Sequence, residues 1–107
     1  MTPDPTFDVH GYPTPKTLTR IRRWPVKATD DIDDVTRDWL AYCRAAWNLT
    51  YGRVTEEDDG WHFITGGWSG NEDVIWAMRD RWTLWCHVWE SSHRGGLHIL
   101  RVRGGSK

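Results

Sequence analysis

The chain has 107 residues, which allows a single compact domain. Leu, Ile, Val and Phe together number 20, a small share, but 14 basic and 15 acidic residues balance to −1 and nine tryptophans supply apolar bulk. That balance excludes a basic nucleic-acid wrapper and an acidic DNA mimic. No apolar run reaches the length of a membrane span, no secretory signal opens the chain, and two cysteines make no disulfide framework. A protein of a reducing cytosol is expected.

Residues 1–16 hold four of the five prolines and read as an extended arm anchored by Phe7 and Tyr12. Thr17 to Trp24 reads as an edge strand ended by Pro25, although Arg20, Arg22 and Arg23 leave it little apolar face. Thr29 to Trp47 carries the strongest helical pattern, with Ile32, Val35, Trp39, Tyr42, Cys43 and Ala46 on one face. Asp30, Asp31, Asp33 and Asp34 suit its positive end, and Thr29 or Asp30 can cap it, so the acidic cluster needs no metal. Thr50–Thr55 and Trp61–Thr65 form a hairpin that places Val54, Trp61 and Phe63 on the core face.

Ser69 to Trp82 is a second helix with Val74, Ile75, Met78 and Trp82 as its buried stripe. Trp76 falls on the polar face, among Glu72, Asp73 and Asp80. A last hairpin is expected from Leu84–Glu90 and Leu97–Val102, turning at Arg94-Gly95-Gly96, with Trp85, His87 and Trp89 facing His98, Leu100 and Val102. The order helix–strand–strand–helix–strand–strand gives an α+β domain over 17–103. It is a small antiparallel sheet of about four strands with two helices on one side, and 104–107 form a flexible tail.

Two segments could carry chemistry. In Thr65-Gly66-Gly67-Trp68-Ser69-Gly70-Asn71-Glu72 a strand ends, two glycines turn, and Ser69 with Glu72 spells a capping box. Structure explains every residue there but Trp68, which no periodic face claims. As a ligand loop, Gly66 and Gly67 would let a ligand approach the backbone and Trp68 would stack on it. Ser69, Asn71 and Glu72 suit ribose hydroxyls or base amines rather than phosphate, because Glu72 and Asp73 are negative and no P-loop lysine is present. The second segment is Ser91-Ser92-His93-Arg94-Gly95-Gly96, where Arg94 beside Gly95 could meet phosphate. Trp76 and His98 complete the candidate site.

The TGGWSGNE run, followed about twenty residues later by S-x-R-G-G, resembles a pattern in small bacteriophage-encoded proteins, over roughly Trp61 to Leu100. The resemblance implies a role inside an infected bacterial cell, in host takeover or in blocking defence. One such role is the sequestration of a nucleotide signal. It carries no functional residues with it.

Catalytic patterns are missing. Five histidines form no HExxH, Cys86-His87 lacks a second pair at zinc spacing, and no G-x-S-x-G turn occurs. His87 and His98 could flank a pocket as acid and base, and His62 is a third candidate base for phosphodiester cleavage. Cys43 lies on a buried stripe, and Cys86 reads as a small hydrophobe. The expectation is a non-catalytic binder of a nucleotide-like small molecule that needs neither cofactor nor metal. A protein-interaction inhibitor of a host defence enzyme is the alternative, and nucleic acid and membrane are disfavoured as partners. The aromatic content also suggests a homo-oligomer.

Overall fold

The computed structural model describes residues 4–102; the expected tail at 104–107 lies outside them. The elements are α1 (Pro15–Arg22), α2 (Ile32–Ala45), β1 (Arg53–Glu57), β2 (Gly60–Ile64), α3 (Ser69–Asp80), α4 (Trp82–Val88), β3 (Trp89–His93) and β4 (Leu97–Leu100). The fold class is α+β with one antiparallel sheet in the order β1-β2-β4-β3, but with four helices rather than two.

Two expected strands are helical. Thr17 to Trp24 falls largely within α1, which Thr14 caps and Pro15 opens; proline at the first helical position has no amide to satisfy there. Thr17 and Ile21 point inward at helical spacing, and Trp24 follows one turn later, also buried. Leu84 to Val88 belongs to α4, which buries Leu84, Trp85 and Val88; the partner of β4 is instead the shorter β3. The arm is not extended either. It doubles back through a Phe7–Pro13 bridge, and Thr6 bonds to Thr14 and Thr17.

The remaining elements follow their patterns. α2 is capped by Asp31, one or two residues later than expected, and buries Val35, Thr36, Trp39, Leu40 and Cys43. The first hairpin turns at Asp58-Asp59, and its register sets Val54 opposite Phe63 and Glu56 opposite Trp61. Directly opposed residues share a face, so Val54, Phe63, His98 and Ser92 form one row across the sheet. Trp61 and Leu100 form the next row on that same face. Val54, Phe63 and Leu100 enter the core with Trp39, Val74, Met78 and Trp85 of the helical layer. His62, Ile64, Leu97 and Ile99 lie half-buried on the opposite face.

α3 and α4 are separated by a break at Arg81, whose ψ of 65° leaves the helical region. The Arg81 Nε–H donates to the Trp24 carbonyl at 3.0 Å and a terminal nitrogen donates to the Thr83 hydroxyl at 2.7 Å, holding the break. The break resets the helical phase. Trp82, expected in the buried stripe, is 62% exposed, and Trp85 is buried in its place.

Candidate functional site

The glycine loop before α3 is knit together by its own groups. The Thr65 N–H donates to the Gly96 carbonyl at 3.0 Å, so the two loops singled out in the sequence lie side by side. The Gly67 N–H donates to Thr65 Oγ1, and that hydroxyl donates to a Glu72 carboxylate oxygen. Gly66 and Gly67 take φ of +68° and +75°, as does Gly95 at +84°. At Gly66 a side chain would also meet the Tyr51 carbonyl, whereas Gly67 and Gly95 face open space.

Four expected ligand groups here have structural partners instead. Trp68 stacks on Tyr51 with centroids 4.5 Å apart and 20° between the planes, and packs against Tyr12 at 4.6 Å. Asn71 is fully buried: its Oδ1 accepts the Asn48 N–H at 2.9 Å, and its Nδ2 donates to the carbonyls of Asn48 and Thr65. Ser69 does not form a capping box. Trp68 occupies the cap position without a side-chain bond, and the Ser69 hydroxyl meets the Tyr12 hydroxyl at 3.0 Å. Glu72 accepts from Thr65 rather than from the helix start. Arg94 stands exposed on its turn and makes no hydrogen bond or ion pair among the described residues.

The geometry of a binding site lies one step away. The helical layer ends before the β3 edge, so the row Val54–Phe63–His98–Ser92 passes from buried to exposed. Above its outer end is a cleft of about 460 Å³, walled by Trp82, Trp85 and Trp89, with Arg79, Cys86 and His98 beside them. Trp89 is 42% exposed. Trp76, 58% exposed as its polar-face position implied, carries the Arg79 guanidinium 4.9 Å above its ring, which extends the aromatic surface along α3.

Polar groups in the cleft are ordered by a relay. The Trp89 Nε1–H donates to Ser92 Oγ at 2.9 Å, and Ser92 Oγ lies 2.8 Å from His98 Nδ1. An indole N–H can only donate, so Ser92 accepts there, and its hydroxyl keeps a proton and a second lone pair for the contact with Nδ1. Burial holds the His98 imidazole below its ordinary value. The charge of Arg79 acts in the same direction, and Glu72 opposes both.

The other histidines are elsewhere. His87 does not share a pocket with His98: it sits on α4 with its Nε2 3.0 Å from Asp33, joining α4 to the start of α2. His62 pairs with Asp59 at 2.7 Å in the first hairpin. Cys43 is buried, which raises its thiol pKa well above the ordinary value, while Cys86 is exposed in the cleft rather than packed as a hydrophobe. Among the described residues, no three His, Cys, Asp or Glu side chains gather to hold a metal ion, and no helix is long and apolar enough to cross a membrane.

Sequence reasoning missed most of the cleft, including Arg79, Trp85 and Ser92 and the two exposed indoles Trp82 and Trp89. The placements of Trp82 and Trp89 followed from periods that the break at Arg81 interrupts, and neither glycine nor proline marks that break. Comparison with known protein families, with curated proteins and with solved structures gives no significant match for this chain.

Proposed function

We propose that the protein binds and holds a nucleotide-like small molecule in the cleft between α4 and the β3 edge, without converting it. The observation that carries this reading is the wall of three indoles with a guanidinium at its side. Exposed indoles are costly to leave in water, and stacking a base on one contributes roughly 1–3 kcal/mol. Arg79 supplies a planar, permanently charged donor for phosphate, and His98 with Ser92 supplies neutral polar groups for a base or sugar. The glycine loops act as scaffold for this cleft, with Thr65 joining them. The phage-like TGGWSGNE run supports a signalling nucleotide of bacterial defence as the ligand and its sequestration as the outcome.

Indole fluorescence titrated with mononucleotides, cyclic nucleotides and cyclic dinucleotides tests this reading. Quenching is expected, with Trp82→Ala and Trp89→Ala each raising Kd about tenfold, since roughly 1.4 kcal/mol of stacking corresponds to that factor. Arg79→Gln should erase the preference for a nucleotide over its nucleoside, and heating should release the ligand intact. Absence of quenching across the panel, or unchanged affinity in both tryptophan variants, would overturn the reading.

The Ser92–His98 contact favours a second reading, hydrolysis of a phosphodiester or ester. Ser92 Oγ would attack the phosphorus or acyl carbon as its proton passes to His98 Nδ1. The bond to the ester alcohol would break with that oxygen taking the proton from His98, and water would then hydrolyse the seryl ester, releasing the acid and restoring the Ser92 hydroxyl. The contact distance suits this, but among the described residues no carboxylate hydrogen-bonds His98 to orient it. Recovery of cleaved ligand, lost in Ser92→Ala while binding persists, would select this reading over the first.

A further inference from the structure

The basic residues of α1 do not enter the aromatic cleft. Lys16 and Arg20 of α1 and Arg23 at its C-cap recur at spacings of four and three, so they stand along one side of the helix and its end. With Asp4 from the arm, Thr19 and Tyr42 of α2, they line a separate depression of about 330 Å³ that shares no residue with the cleft. Arg22, the remaining cation of α1, pairs with Asp80 at 3.2 Å. By contrast, the side chains of Lys16 and Arg23 have no ion pair or hydrogen bond among the described residues.

Helix stability alone does not explain this arrangement. Basic residues in the last turn of α1 suit the negative end of its dipole, but Lys16 sits in the first turn, where no acidic residue accompanies it. A cation there is unfavourable, and three like charges at successive turns repel one another. Both costs vanish when an anion occupies the depression. Three cations against the Asp4 carboxylate leave a charge of +2 around it, which matches a doubly charged oxyanion. Arg20 lies 5.2 Å from the Trp24 ring centroid, so its guanidinium is held in a fixed orientation. Burial raises the Tyr42 pKa, so its phenol remains a hydroxyl donor at neutral pH.

We infer that the depression between α1, the arm and Tyr42 is a second binding site, for a phosphate oxyanion of two or more charges such as a phosphomonoester terminus or pyrophosphate. The site is independent of the aromatic cleft and stands whether or not the cleft binds a nucleotide.

Inorganic pyrophosphate titrated into the full chain, followed by calorimetry and by amide and side-chain NMR, is the test. Shifts are expected at Lys16, Thr19, Arg23 and Tyr42. Affinity should fall by about tenfold or more in the Lys16→Gln/Arg23→Gln double variant, since two charge-assisted bonds are removed. It should be retained in Trp82→Ala/Trp89→Ala. The mapping on the unaltered chain stands even if a variant folds poorly. Unchanged affinity in a folded double variant, or shifts confined to the cleft, would overturn the inference. So would a ten-nucleotide single strand that binds across α1 far more tightly than pyrophosphate, which would make the surface one for nucleic acid.

Discussion

Asn71 shows how one buried amide can hold two segments in place. Its oxygen and nitrogen close bonds to both backbone groups of Asn48 and to the Thr65 carbonyl, fixing the turn after α2 and the glycine loop to α3. Replacing it leaves the part-buried Asn48 N–H without its partner, while the two carbonyls still accept from the N–H groups of Tyr51, Gly52 and Trp68; an unpaired group of this kind costs about 1–3 kcal/mol. Asn71→Leu is therefore expected to lower unfolding stability by at least about 1 kcal/mol in urea titration. A shift within about 0.5 kcal/mol, the range of an ordinary surface change, would contradict this role. The sequence placed Asn71 near the start of α3 but could not show what it faced. The partner is 23 residues away, and asparagine suits a ligand and a backbone equally well.

Elements differ in how plainly their sequence announces them. α2 and the first hairpin were legible because a wide apolar stripe and a two-fold alternation each bury one face. α1 misleads because Thr, Leu and Ile alternating with basic residues imitate an edge strand; the Thr14-Pro15 pair was the helical signal. The paired glycines make a sharper test of local geometry. Both Gly66 and Gly67 have positive φ, but only at Gly66 does the Tyr51 carbonyl occupy the place of a side chain. Gly66→Ala should therefore cost at least about 1 kcal/mol more than Gly67→Ala, which bears mainly the backbone term. Equal melting temperatures for the two variants would show that the Tyr51 contact yields easily.

The whole molecule has a radius of gyration of 13.1 Å, matching a single compact body of about 100 residues. One body means that a titration in the cleft is felt as global stability. The His98 pKa lies below its ordinary value of 6.5 in the fold because the site is buried and Arg79 is near. An unfolded chain therefore binds this proton more readily, so the contribution is complete above about pH 6.5 and is lost as pH falls through the folded value. Melting temperature measured from pH 7.5 downward should fall more for the unaltered protein than for His98→Gln. Parallel curves would show that His98 is not the group responsible.

The break between α3 and α4 fixes which indoles meet solvent. Four residues beyond Met78, an unbroken helix would have brought Trp82 inward, and the interior would have had no need of Trp85. The turn at Arg81 exchanges the two: one ring is withdrawn and the other is displayed at the mouth of the cleft. The binding surface is therefore a matter of phase as much as of composition. A substitution at position 81 that let the backbone run straight would hide the displayed ring without altering any residue that lines the cleft.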